Sequence, residues 1–273
     1  MLAAEALLDQ DDEGRFSLTE TGRFLRTDEL GDLATFVGAA FMWDPWTHLH
    51  EAVRDGKAAF QHATGQGLFD YLESHDADAD LYHRAVDAFT RREARALARE
   101  YDFSTVRNVA DIGGGLGTLV FELLDQWEHL RGTLFDREHV IEQARERLIS
   151  SEFSDRVDLV AGDFMQAVPE GRDAYVVKHV IHNWPDETAA RILRNCAEAM
   201  NDGGKILVVE GILLPGNRKD GTRLLDLEMM VLCGEGRERT KQEFRQLFKE
   251  AGLKLERTVP LAGTTRLLIG SRR

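Results

Sequence analysis

The spacing of apolar residues changes character near residue 105. Beyond it, short β-rich runs alternate with helix-length segments. The runs Asn108–Ile112, Gly132–Phe135, Val157–Ala161, Ala174–His179 and Lys205–Val209 read as strands. Between them, Thr118–Glu128, His139–Ile149 and Glu187–Met200 carry apolar residues at helical spacing; in the last, Ala189, Ile192, Leu193, Cys196 and Met200 form one face. Strand–helix alternation at this interval predicts a parallel, doubly wound α/β sheet. Leu253–Val259 and Thr264–Gly270 are separated only by Pro260–Gly263, so they should pair as a hairpin.

Before residue 105 the pattern is helical. Asp80–Arg99 carries Leu81, Ala85, Val86 and Phe89 at helical spacing, and much of the aromatic content lies upstream of it, from Phe36 to Tyr82. Core packing accounts for most of these aromatics, and a minority suit a flat apolar pocket. Residues 1–30 read as a short apolar helix (Leu2, Ala6, Leu7), an acidic turn and a short strand at Arg15–Thr19. That order fits the end of a winged helix or any small α+β cap. The expected division is an N-terminal helical region at 1–98, covering an acceptor and carrying dimer contacts, and a catalytic domain at 99–273. No internal repeat or low-complexity tract interrupts it.

Composition narrows the classes of function. The 273 residues are 43% hydrophobic and 30% charged, ordinary for a globular protein. The net charge of −14, with no cluster of Lys and Arg, argues against a nucleic-acid partner and against an anionic membrane surface. No apolar run approaches the roughly 18 residues that span a bilayer. Cys196 and Cys233 form no CxxC, and the N-terminus has no basic, apolar leader pattern. A cytoplasmic, reducing setting is expected.

The chemistry gathers at predicted strand ends. Asp111-Ile112-Gly113-Gly114-Gly115-Leu116-Gly117 follows one strand and opens a helix. Glycines there let the backbone approach a ligand and free N–H groups at a helix N-terminus. The spacing is D-x-G-x-G-x-G; Thr118 stands where a dinucleotide fingerprint places its last glycine, so the loop leans away from NAD. Asp136 ends the next strand, where an acid accepts from a ribose diol, or merely caps a helix. Gly162-Asp163-Phe164 ends the third strand; Asp163 suits an adenine amino group, and Phe164 suits the ring face. In an open α/β sheet these loops share one crevice, so together they describe an adenosine-containing ligand. The fourth strand runs into Lys178-His179-Val180-Ile181-His182-Asn183-Trp184-Pro185-Asp186-Glu187. His182 in that loop suits a general base. His179 and His182 are also readable as metal ligands, but no third ligand is evident at a supporting spacing, and no metal is expected.

With Tyr101-Asp102-Phe103, Val209-Glu210 and Arg237-Glu238-Arg239-Thr240, the order and spacing of these motifs resemble the caffeic-acid-type small-molecule O-methyltransferases and their bacterial relatives in antibiotic biosynthesis. The resemblance spans the chain and implies a Rossmann-like, doubly wound methyltransferase sheet with an N-terminal helical or winged-helix remnant. It implies S-adenosylmethionine as cofactor and S-adenosylhomocysteine as product. Asp111, Gly113, Gly115 and Gly117 would hold the methionine part, Asp136 the ribose, Asp163 and Phe164 the adenine, with Lys178 a further cofactor contact. His182 matches the catalytic base, flanked by Glu210 and Glu238. Trp43, Phe89, Met229, Met230 and Cys233 match the acceptor pocket. Plain core packing suits the two methionines nearly as well, and Asp226 faces either the pocket or solvent. Two departures stand out. Asp136-Arg137-Glu138 replaces the usual Asp-Leu-Pro, and the chain begins inside the winged-helix part, whereas relatives carry further helices that build a homodimer.

The expected reaction is an in-line methyl transfer to a hydroxyl of a small polyketide- or phenol-like aromatic, with His182 taking the proton. Its rivals are a relative using the same cofactor for hydroxylation, decarboxylation or N- or C-methylation, an NAD-dependent oxidoreductase, and a winged-helix regulator.

Overall fold

The computed structural model describes residues 1–26, 30–216 and 220–273. Strands β1 (Leu8–Gln10) and β2 (Phe16–Leu18) pair antiparallel. Here one expectation fails: residues 2–7 form turns, not a helix, and the next three residues are strand. The reason is local. Leu8 pairs with Leu18, and the Asp11 side chain accepts from the Glu13 and Arg15 N–H groups, closing a hairpin that the acidic turn alone did not reveal.

Helices α1 (Glu20–Arg23), α2 (Gly31–Gly38), α3 (Ala40–Trp43), α4 (Leu49–Asp55), α5 (Ala59–Thr64) and α6 (Leu68–Glu73) lead into α7 (Asp76–Glu100). Then come β3 (Asn108–Ile112), α8 (Thr118–Gln126), β4 (Arg131–Asp136), α9 (Glu138–Ile149), β5 (Val157–Ala161), β6 (Arg172–Lys178), α10 (Asp186–Ala199) and β7 (Met200–Leu213). The chain closes with α11 (Thr222–Cys233), β8 (Arg239–Thr240), α12 (Lys241–Glu250), β9 (Leu253–Pro260) and β10 (Thr265–Arg272). The mixed α/β sheet runs β5-β4-β3-β6-β7-β10-β9, parallel through β7, with β10 antiparallel to both its neighbours. Its order reverses between β3 and β6, which opens a crevice at the carboxyl ends of those strands.

Both sheet faces are covered, which is why the central strands are continuously apolar. One face packs on α10 and α12 through Ile192, Leu193, Phe244 and Phe248. The other packs on α8, α9 and the C-terminal part of α7 through Leu97, Leu123 and Ile141. A third core joins Phe36, Phe41, Phe60 and Leu72 to Met229, Val231 and Leu232 of α11. Helices distant in sequence thus roof the crevice together. The strand expected at Lys205–Val209 is longer because β10 extends its pairing, setting Gly211 opposite Thr265. Among the described residues, no helix is long and apolar enough to cross a membrane.

Candidate active site

A cavity of about 710 Å³ lies between the sheet's carboxyl edge and the helical roof. Gly113, Gly114, Gly115, Asp111, Asp136, Phe164, Lys178, His179 and His182 all line it, as do Phe89, Met229 and Cys233. Five expected binding residues fall elsewhere, one of them Gly117, which caps α8 and faces Leu134 and Phe121. Trp43 is 62% exposed and outside the lining, because the inward side of its short helix is taken by Phe41 and Met42. Met230 packs against the third core. Asp226 neither lines the cavity nor faces solvent alone: its carboxylate accepts from the Glu238 N–H at 2.8 Å. Asp163 is exposed, and its carboxylate accepts from the Met165 N–H and the Gln166 amide.

The glycine turn is shaped by close approach. A side chain at Gly114 would stand 2.5 Å from the Asp111 carboxyl carbon and from Leu134, and Gly113 sits at φ +68 against Val180. Asp136 accepts from the Gly115 N–H at 2.8 Å and from the Arg137 N–H at 2.8 Å. Burial pushes its carboxyl up, against those two hydrogen bonds. Arg137, the departure noted in the sequence, reaches Glu73 of α6 at 3.1 Å and ties this loop to the roof. Beneath the turn, burial pushes Asp111 up to about 7, and its Oδ2 has no hydrogen-bond partner among the described residues. An open glycine turn, a cavity-facing acid and an orphaned buried oxygen suit a ligand bearing hydroxyls and an ammonium group.

The loop after β6 carries the second half of the site. His182 is 6% exposed, and its Nδ1 lies 2.7 Å from Glu238 Oε1 and 3.4 Å from Glu210 Oε2. The two acids do different work. Glu238 holds the ring, while Glu210 Oε1 accepts from the N–H groups of Ile181 (2.8 Å) and His182 (3.3 Å) and so fixes the loop. Burial pushes both carboxyls up. At Glu210 the His182 and His179 rings reverse this and hold it below the usual range; at Glu238 burial prevails.

Arg237, Glu238 and Arg239 clamp the loop in succession. The Arg237 N–H donates to the His182 carbonyl at 2.7 Å. The Arg239 guanidinium, 1% exposed, donates to the carbonyls of Ile181 (3.0 Å) and Trp184 (2.7 Å) and pairs with Asp186 (2.8 Å).

A further group was not foreseen from the sequence. Glu93 of α7, only 6% exposed, receives His179 Nε2 at 3.1 Å, Lys178 Nζ at 3.3 Å and the Thr265 hydroxyl at 2.6 Å. Its partners lie 85 to 172 positions away, so only the helical period marked it, and a charged helix residue reads as a solvated one. His179 sits at φ +50, a strained conformation for a residue with a side chain. The structure also supplies what the sequence did not show beside the two histidines. Glu210 brings a carboxylate oxygen to them, and the three donor atoms lie within 4.8 Å of one another. These atoms already face each other as acids and imidazoles, and we read them as a proton-holding network.

Burial pulls His179 down, but the Glu93 charge outweighs it and raises the imidazole to about 9 from 6.5. A base raised on folding adds stability that is fully present below its unfolded pKa and is lost as pH rises through the folded one. Replacing His179 with glutamine should therefore lower the thermal midpoint most at pH 6.5, with the deficit shrinking as pH passes about 9. Melting curves of both proteins across that window would show it; a deficit constant with pH would contradict it.

A glycine turn and a cavity-lining acid at the switch point of a parallel sheet, beside a buried imidazole held by carboxylates, are the arrangement of a Rossmann-like α/β fold with a ligand crevice. The family model of the O-methyltransferase domain matches residues 46–254. The chain belongs to that family. It is 38% identical over 236 residues to the mitomycin biosynthesis 6-O-methyltransferase of Streptomyces lavendulae, covering 86% of this chain and 67% of the relative. It is 36% identical over 266 residues to the 3-amino-4-hydroxybenzoate 4-O-methyltransferase of Streptomyces cremeus, covering 96% and 72%. Among solved structures, an O-methyltransferase from neocarzinostatin biosynthesis, in complex with S-adenosylmethionine and 2-hydroxy-5-methyl naphthoic acid, superposes with TM-score 0.83 at 29% identity, covering 100% of this chain and 82% of that one.

Proposed function

We propose that the protein methylates a hydroxyl oxygen of a small aromatic molecule, with S-adenosylmethionine as donor and His182 as general base. The observation that carries this is the state of the His182 ring. Glu238 occupies Nδ1, and no hydrogen bond engages Nε2 among the described residues, while the residue lines the cavity. A carboxylate at Nδ1 fixes the proton there and leaves Nε2 as the acceptor for an acidic O–H. The bound cofactor supplies an electrophilic methyl group on a sulfonium. The Gly113–Gly115 turn, Asp111, Asp136, Phe164 and Lys178 would bind it; Asp163 and Gly117 support the loops from outside the cavity. The roof of Phe36, Tyr82, Phe89, Leu225 and Met229 excludes water and presents a flat apolar wall to the acceptor. Holding the acceptor oxygen in line beside Nε2 is the larger contribution, and proton removal the smaller.

The homodimer expected from the family belongs to the same proposal. Exposed Phe16, Phe24, Leu25 and Trp43 support it as apolar surface for a second copy.

Calorimetric titration with S-adenosylmethionine, S-adenosylhomocysteine and NADH tests the cofactor reading. Both sulfur nucleosides should bind and NADH should not. Asp136→Ala should weaken S-adenosylhomocysteine by about 10- to 100-fold, the worth of hydrogen bonds to a charged group. Binding of NADH in place of the sulfur nucleosides would return the oxidoreductase reading.

A further inference from the structure

Glu228 of α11 lines the same cavity as His182, between Leu225, Met229 and Leu232. It is half-buried, and among the described residues it has neither a hydrogen bond nor an ion pair. The cavity's Lys and Arg side chains are committed elsewhere: Arg137 to Glu73 at 3.1 Å, Lys178 to Glu93 at 3.3 Å. Burial pushes the Glu228 carboxyl up, and His182 is close enough to act on it through space in the opposite direction. A carboxylate in an apolar wall costs stability unless something donates to it. With the cavity's Lys and Arg taken, a molecule that fills the cavity and displaces water from Glu228 has to supply the donor itself. The helix that carries Glu228 packs on the His182 loop, where the Cys233 thiol donates to the Asn183 side-chain oxygen at 3.4 Å, so a ring whose reacting oxygen sits at His182 turns an adjacent edge toward this helix.

On the basis of the O-methyl transfer proposed above, we infer that Glu228 determines specificity: it selects aromatic acceptors that carry an amino or second hydroxyl group beside the methylated hydroxyl, and rejects those with a carboxylate there. The wall positions around it set ring size and flatness; Glu228 sets the polarity of one ring edge. Discrimination of this kind is large because a mismatched acceptor leaves a desolvated charge unpaired or opposes it with a like charge.

The test uses the full chain and three naphthols identical except for the group on the carbon next to the hydroxyl: an amine, a second hydroxyl or a carboxylate. Methylated product gives kcat/KM, and titration into the S-adenosylhomocysteine complex gives affinity. The amine and the diol should exceed the acid by about tenfold or more. In Glu228→Gln and Glu228→Leu that preference should largely collapse, with S-adenosylhomocysteine binding unchanged. Equal use of all three by the wild type, or a preference that survives both substitutions, would overturn the inference and leave the methyltransferase reading standing. Failure of all three to bind the loaded protein would overturn it together with the aromatic acceptor. Failure of S-adenosylhomocysteine itself to bind would overturn the reading on which it rests.

Discussion

Replacing His182 with alanine is expected to lower kcat by about 10²–10⁴-fold, the usual worth of a positioned general base, while S-adenosylhomocysteine binds as before. The separation of these effects follows from the geometry. His182 lines the same cavity as the Gly113–Gly115 turn without a hydrogen bond to it among the described residues, whereas Asp136 is held to Gly115 directly. Glu238→Gln should produce a smaller loss of the same kind. An amide still fills the space beside Nδ1 but can present either its oxygen or its NH₂ there, so the ring proton is no longer fixed. Single-turnover methyl transfer on the preferred acceptor, alongside calorimetry, reads both quantities. An alanine variant that turned over at the wild-type rate with the cofactor bound would end the base assignment, and the positional effect alone would carry the reaction.

The second large effect concerns stability. Arg239→Met should lower the free energy of unfolding by about 1–3 kcal/mol, since one buried and one partly buried carbonyl lose their donors, the first at the greater cost. Those carbonyls belong to Ile181 and Trp184, on either side of the base, so the loss falls on the loop that the Arg237–Arg239 clamp holds. Asp186 contributes little to the sum because its side chain is 53% exposed and water replaces the lost partner. Chemical denaturation of the two proteins measures the difference. A variant within about 0.5 kcal/mol of the wild type would mean that those carbonyls find water on their own, as surface groups do.

The sheet and its crevice were legible because they rest on local pattern. The run from Asp111 to Gly117 announces a strand, a turn and a helix in seven residues, and the parallel strands bury both faces, so they read as continuous apolar runs. His182, Glu210 and Glu238 were legible only through their spacing as a familiar set, for nothing local distinguishes them. Glu93 and Glu228 were not legible. Each lies on a helix, and helical period tells which face a residue occupies but not that the facing surface is a cavity floor or a histidine from another element. Trp43 failed for the converse reason. Its neighbours Phe41 and Met42 fill the core, and a third large side chain in one turn had only the outside left. The hairpin at the start was hidden by length, since three-residue strands carry too few positions for alternation to show.

The antiparallel strand β10, wedged between β7 and β9, ties the sheet to the helical roof through α7. It carries Arg266 opposite Glu210 and supplies the Thr265 hydroxyl to Glu93. The turn from Gly113 to Gly115 rests on the parallel half of the sheet, whereas Glu93 and the strand that carries Glu210 meet β10, so the two sides of the cavity depend on different strand pairings. Local opening of the β10 edge would therefore loosen the acids beside His179 while leaving the glycine turn in place, and amide hydrogen exchange would report the two as separate openings.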